Sequence, residues 1–435
     1  MELVKRRAGV VPSRDGPLRA PRSANRSACA TRATSRPELE LSVSTVSSIS
    51  EVDRDAWNAC AYADGETNPF VSWEFLHALE ESGSVGRRAG WLPIHCILTG
   101  SSENEIVGVV PLYLKSHSYG EYVFDHSWAS AYTRLTGRDY YPKLQSCVPF
   151  SPVTGARLLA KAGPHREAML EALASSLVTI ADELKVSSLH VTFNKAEETG
   201  ALSGDAGFLT RTGIQYWWEN RGYESFDDFL ANLKQSKRKS IRQERKSAAK
   251  ADLTVRRTLA RDMGRRDWDA FYRFYRNTCD KKWGQAYLNR TFFDVLGELM
   301  PEQVMMVGVE DSKGEPVAGA LNLVGGDALY GRNWGCKHNL RVKNLHFECC
   351  YYQAIEAAIE MGLSRVEAGA QGEHKIKRGY LPSLTYSAHY VKDPKMRSIV
   401  SEFLRQERAE IDYAMEVLNQ EMSPYKDGNP APPSP

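Results

Sequence analysis

An α/β fold built as a tandem of two similar halves is what the sequence predicts, and three observations predict it. Apolar residues recur at helical spacing over segments such as 164–184 and 265–278. Short β-rich runs bounded by polar turns, such as 303–310 and 316–324, read as strands. The same order of elements then occurs twice. At 435 residues with 42% hydrophobic composition, the chain is long enough to bury more than one core.

The first half opens with helices over 53–61 and 71–82. Strands over 91–99, 106–115 and 120–125 form an antiparallel meander, with a polar turn at 101–105. A helix over 164–184 leads to a strand over 187–193. The second half repeats this order, with helices at 265–278 and 289–300 and strands at 303–310, 316–324 and 328–335. A helix over 346–362 and a strand over 364–370 complete it. Val107-Gly108-Val109 and Val317-Ala318-Gly319 hold the same place in the two halves. A strand that returns after a helix beside the last meander strand makes a right-handed crossover. The crevice at the strand ends of such a sheet is the usual ligand site.

Between the halves, Ser225 is the expected N-cap of a helix, with Asp228 in the capping-box position. Phe226, Phe229, Leu230 and Leu233 form its apolar stripe, and beyond them it turns strongly basic. The expected organisation is a leader over 1–37, a first domain over 43–215, a basic helical connector over 216–260, a second domain over 261–422, and a disordered Pro-rich tail over 423–435.

The leader carries nine Lys or Arg against Glu2 and Asp15, is filled with Ser, Ala and Pro, and has no apolar h-region. This is the composition of an organelle transit peptide and not of a secretory signal. Chloroplast is the first expectation and mitochondrion the second, with a processing site near Ser27-Ala28-Cys29-Ala30. Without the leader, 47 basic residues face 52 acidic ones, a net charge near −5. A mildly acidic body has no global pull toward nucleic acid, so any polyanion site must be local. No apolar run reaches the eighteen or so residues of a membrane-spanning helix. The eight cysteines form no C-x-x-C and no zinc-type spacing, which reads as reduced thiols and no metal site.

Five strings carry a resemblance: residues 120–132, 140–144, 148–159, 345–359 (LHFECCYYQAIEAAI) and 369–379 (GAQGEHKIKRG). They resemble the FemAB-like proteins, predicted N-acyltransferases or peptidoglycan biosynthesis/recognition proteins, and the element order resembles the GNAT fold taken twice. The resemblance spans about residues 43–420. It implies a tandem of GNAT-like domains that moves an acyl group onto an amine. It implies no tightly bound cofactor, with acyl-CoA or another acyl thioester as co-substrate, or else an aminoacyl-tRNA. An acyl carrier protein or tRNA would be the partner and a small-molecule or lipid amine the acceptor. A non-catalytic binding module of the same fold is the other reading.

Acyl transfer to an amine needs a base, oxyanion donors and a seat for the donor's phosphates. The loop Gly369, Gln371, Gly372, Glu373, His374 and Lys375, closed by Arg378, follows the crossover strand of the second half. Its glycines free backbone amides for an anion. Glu373 or His374 is the expected base, with Glu348 in reserve. Lys337, Arg341 and Lys343 precede a helix N-terminus, where a pyrophosphate would sit. The Gln/Arg-x-x-Gly-x-Gly/Ala loop of GNAT enzymes is absent there. Arg238, Arg242 and Arg245 share one face of the basic helix, as either a phosphate site or a solvated face. Asp125, His126, Tyr141, Lys143, His346 and Tyr352 are expected at the acceptor. The aromatics around them either wall a ligand or form core.

Overall fold

The computed structural model describes residues 40–426 and 428, together with Leu18 and Arg19, apart from 66, 101–104, 283–285 and 370–371. Most of the expected leader, residues 427 and 429–435 of the expected tail, Gln371 and the side chain of Glu373 lie outside the described residues. Among the described residues, two sheets carry the fold. The larger has eleven strands, in the spatial order 253–259, 304–311, 316–324, 328–336, 365–367, 209–219, 381–391, 188–194, 143–146, 112–115 and 91–93. The smaller has five, in the order 18–19, 41–46, 95–100, 106–110 and 159–160.

The first-half hairpin is shared between the sheets because both of its strands bend. The bends fall at Ile94 and Pro111. Proline supplies no N–H to a ladder, and beside it the Leu112 N–H is taken by His95 Nδ1 at 3.2 Å. Residues 120–125 are not the expected third meander strand. Gly120, at φ +80°, packs so closely on Phe150 that a Cβ would lie 2.6 Å from the ring. Tyr119 and Phe124 beyond it stay exposed. The chain forms a helix over His126–Thr136, and Lys143–Ser146 takes the third place.

The centre of the large sheet joins the halves by exchange. Leu209–Glu219, which follows the first-half crossover, pairs on one side with Arg365–Glu367 of the second half. On its other side it pairs with Leu381–Val391, from Leu209↔His389 to Trp217↔Leu381. That second-half strand in turn pairs with Ser188–Asn194 of the first. Each half thus completes its sheet with a strand from the other. Leu209–Glu219 also runs across the boundary expected at residue 215. Helices join the halves as well, with Phe75 of Trp73–Glu81 edge-on to Phe292 of Arg290–Leu299 at 6.0 Å.

The connector is two helices, Phe226–Asn232 and Gln235–Ala249. Ser225 caps the first as expected, accepting from the Asp228 N–H at 3.1 Å. They break at Leu233, which bridges to Tyr425, and the Lys234 N–H reaches the Pro424 carbonyl at 2.9 Å. The expected disordered tail is therefore packed at its start. Ser423 and Tyr425 are buried, and the Tyr425 hydroxyl donates to the Gly379 carbonyl at 2.8 Å. A 28-residue helix, Pro394–Glu421, precedes them.

Candidate active site

A cavity of about 440 Å³ lies between the halves. Its second-half wall begins where two strands part. Ala328–Cys336 and Arg365–Glu367 pair in parallel through Ala328↔Arg365, Leu329↔Val366 and Tyr330↔Glu367, and no further among the described residues. On the other edge of 328–336 the register slips, so that Asn322 faces Gly331 while Leu321 faces Asn333. Arg332 is the extra residue of that bulge, and a bulge re-aims the side chain it carries. Arg332 lines the cavity at the mouth of the V, beside Gly331, Glu367, Ala368 and Gly369.

The expected loop closes the V. A short helical turn, Glu373–Arg378, brings His374 and Lys375 into the cavity. Gly372, at φ +116°, lies so near the His374 imidazole that a Cβ would meet its Cε1 at 2.4 Å. His374 Nε2 is 3.0 Å from the Tyr351 hydroxyl. Burial, then the nearby Arg378 and Lys375 charges, lower its pKa below the usual histidine value, which favours the neutral imidazole. Lys375 is 2% exposed and donates to the Ala368 and Gly369 carbonyls at 2.7 Å each. Burial lowers its pKa to about 8.

Tyr351 reaches the cavity because Glu348–Tyr352 is a π-helical turn inside the helix that runs to Glu360. Such a turn shifts the helical phase and is frequent at functional sites. It aims His346 and Tyr351 at the cavity. Glu348 and Tyr352 instead meet the basic helix, which corrects both expectations. Arg245 holds the Glu348 carboxylate with two nitrogens at 3.1 and 2.9 Å, and also binds Glu356 at 2.6 Å. Arg378 binds Glu244 at 3.1 and 2.8 Å and lies 3.5 Å over the Phe347 ring. The Tyr352 hydroxyl donates to the same Glu244. Burial opposes the Arg245 charge, but its hydrogen bonds to the Glu356 and Glu348 carboxylates raise its pKa on balance. Arg245, Arg378, Glu348 and Tyr352 thus clamp helix to helix and do not line the cavity.

The remaining donor residues stand outside it too. Arg242 pairs with Asp227 at 2.9 Å in solvent, and Arg238 reaches the Ala231 carbonyl at 3.3 Å. Lys337, Arg341 and Lys343 are exposed on the loop before Leu345, with Arg341 bound to the His338 carbonyl at 2.9 Å.

The first half supplies the opposite wall. His126 lines the cavity, next to Tyr119, Tyr122 and Phe124. Asp125, Lys143 and Tyr141 stand one layer behind it. Lys143, buried, binds Glu121 at 2.7 Å and Asp125 at 2.5 Å. Burial works against its charge, but the two carboxylates raise its pKa above the usual lysine value. Lys115, also buried, lies 3.4 Å over the Trp91 ring and 3.6 Å from Glu121. Burial lowers its pKa to about 7. The Tyr141 hydroxyl lies 2.8 Å from that of Ser118, which lines the cavity. Sequence reasoning missed Glu121, although it lies in the string 120–132, and it missed Gln215, Arg332 and Glu367, which lie in none of the five strings.

The first half has a matching V, and it is filled. Lys143–Ser146 and Ser188–Asn194 pair in parallel from Leu144↔Leu189 to Ser146↔Val191. The wholly buried Arg157 guanidinium sits beyond that point, donating to the carbonyls of Thr192, Gly155, Ala156 and Val153 at 2.6–3.1 Å.

The fold is that of a tandem GNAT-type α/β protein, with a cavity between its halves. The chain belongs to the FemAB-like family, described as peptidoglycan biosynthesis/recognition, whose pattern matches residues 48–427. FemX is similar in structure, at 12% identity, covering 80% of this chain and 98% of its own, with a TM-score of 0.51. The C-terminal domain of a putative lysylphosphatidylglycerol synthetase from Agrobacterium fabrum is similar at 8% identity, covering 82% and 97%, with a TM-score of 0.50. A tandem GNAT protein from the clavulanic acid biosynthesis pathway is similar at 11% identity, covering 82% and 99%, with a TM-score of 0.44. No curated protein matches the sequence.

Proposed function

We propose that this protein is an N-acyltransferase that moves an acyl group onto a primary amine inside the cavity between its halves. One observation carries the reading. The V between 328–336 and 365–367 opens at the His374–Lys375 loop, while its first-half counterpart is plugged by Arg157. Two parting strands leave facing N–H and C=O groups without a ladder partner. An extended donor arm rich in amides can take up those groups, and its carbonyl then lies beside His374. The amine attacks the carbonyl carbon, the carbonyl π pair moves onto oxygen, and His374 takes the amine's proton. The tetrahedral intermediate collapses with loss of the donor's thiolate, which takes up a proton. Glu373 is the alternative base.

An acyl thioester is the donor we favour, acyl-CoA or an acyl carrier protein, and the leader composition supports a plastid setting. A second reading, with aminoacyl-tRNA as donor, is supported by the outward Lys239, Arg242, Lys246 and Lys250 of the basic helix. Purified protein incubated with a panel of acyl-CoAs, acyl carrier proteins and charged tRNA, each with mixed primary amines, tests both. Amide formation that depends on His374 or Glu373 supports the first reading. Absence of product with every donor would leave the fold a binding module.

A further inference from the structure

We propose that the cavity contains a phosphate-binding seat made by Arg332 and Lys375. It is a binding site, and it stands whether or not acyl transfer is the chemistry. Among the described residues, two carboxylates and two cations line the cavity: Glu121, Glu367, Arg332 and Lys375. Each carboxylate has its own cation outside the cavity lining. Lys143 holds Glu121 at 2.7 Å, and Arg365 holds Glu367 at 3.0 Å. Among the described residues, the two cations have no such match. Lys375 donates to the carbonyl oxygens of Ala368 and Gly369, and Arg332 donates to the Phe150 carbonyl.

An ammonium 2% exposed, with no counter-charge among the described residues, is costly to hold in its charged form. Its lowered pKa, about 8, expresses the same cost. An entering anion repays it. Lys375 has three N–H donors and spends two, so one remains for a ligand. Arg332 spends one nitrogen on Phe150 and keeps the rest of its fork, which suits the paired oxygens of a phosphate. Two unmatched positive charges balance a phosphate monoester dianion better than they balance a carboxylate. The bulge that makes Arg332 an extra residue is what turns it to the V, so the seat is built into the strand. The phosphate can come from a nucleotide arm of the donor or from the headgroup of a phosphorylated acceptor.

Calorimetric titration of the mature protein at constant ionic strength tests this, with inorganic phosphate, methyl phosphate, adenosine 3′,5′-bisphosphate and glycerol 3-phosphate as probes and acetate and chloride as controls. Phosphate should bind at least tenfold tighter than acetate. Arg332→Gln and Lys375→Met should each weaken it tenfold or more, with Arg332→Lys intermediate. Affinity should fall above pH 8 as Lys375 loses its proton. A tighter bisphosphate points to a nucleotide source, and a tighter glycerol phosphate to a headgroup. Phosphate binding no stronger than acetate, or unchanged in Arg332→Gln, would overturn the proposal. Because Lys375 is buried, Arg332→Gln decides the matter should Lys375→Met fail to fold.

Discussion

His190 and His389 stand directly opposite one another where the two halves exchange strands, Nδ1 to Nδ1 at 2.8 Å. One of these nitrogens must carry a hydrogen and the other must not. The Tyr140 hydroxyl donates to Asp125 at 2.9 Å, so its oxygen accepts from His190 Nε2–H at 2.9 Å. His190 Nδ1 is then bare and accepts from His389 Nδ1–H. This leaves His389 Nε2 as a bare buried acceptor, without a partner among the described residues. Both rings are neutral. Burial, and next the Lys143 charge, lower the His190 pKa to about 3; burial, and next His190, lower that of His389 as well.

The first prediction follows from that pair. An unfolded histidine takes a proton near pH 6.5, while these folded ones refuse it, so stability is present above pH 6.5 and is lost as pH falls toward the folded values. Each ring contributes a slope of at most about 1.4 kcal/mol per pH unit. Calorimetric melting between pH 7 and 4.5 should show a falling Tm, and His389→Phe should make the fall shallower. Nitrogen NMR should find His389 protonated at Nδ1. An equally steep fall in His389→Phe would contradict the assignment.

Arg157 should prove indispensable to the fold. Arg157→Met removes donors from four carbonyls buried in the first-half V, and each buried acceptor left unpaired costs about 1–3 kcal/mol. Chemical denaturation should show a loss of several kcal/mol, or no folded protein. A near-neutral result would mean that the V is not plugged as described.

His374→Gln should cut turnover by about 10²- to 10⁴-fold, the usual worth of general base catalysis. The deficit should lessen at high pH, where the amine is already free of its proton. Tyr351→Phe, which removes only the partner of Nε2, should cost less. If His374→Gln keeps a normal rate and pH profile, Glu373→Gln is the next variant. Normal behaviour in both removes this loop from the chemistry.

Two arginines one turn apart should behave differently. Arg245→Ala strands Glu348, whose side chain is 10% exposed, and should destabilise by about 1–3 kcal/mol once partial solvent screening is allowed for. Arg242→Ala breaks an exposed pair and should change stability by under about 1 kcal/mol. Urea denaturation of both variants checks this. If Arg242→Ala flattens the salt dependence of donor binding, the outer face of the helix binds a polyanion.

Import should remove a leader of roughly 29–40 residues, on the strength of its nine-to-two charge imbalance. Mass spectrometry of the native protein reads the new amino terminus. An intact Met1 would refute it.

What could be read from the sequence was local. Helical periodicity marked Arg166–Glu183 and Arg265–Lys282, and β-rich runs marked Val304–Asp311 and Pro316–Val324. The cluster at His374 stood out because titratable groups framed by glycine are uncommon in a plain turn. The exchange of Leu209–Glu219 with Leu381–Val391 was not legible, because partners about 170 residues apart leave no mark on either segment alone. Arg332 was hidden for a related reason: a bulge is a property of two paired strands. Glu348 misled because its place at a helix start suited a base, and only packing reveals that Arg245 already holds it.

The exchanged strands have a consequence for how this protein is made. When Ser188–Asn194 leaves the ribosome, the strand it needs, Leu381–Val391, has yet to be synthesised. At typical rates that gap lasts roughly 10–40 s, with a sheet edge open to any passing chain. The amino-terminal half therefore cannot mature as a unit during translation. Nascent chains should depend on a chaperone to shield that edge, and neither half expressed alone should yield a soluble monomer.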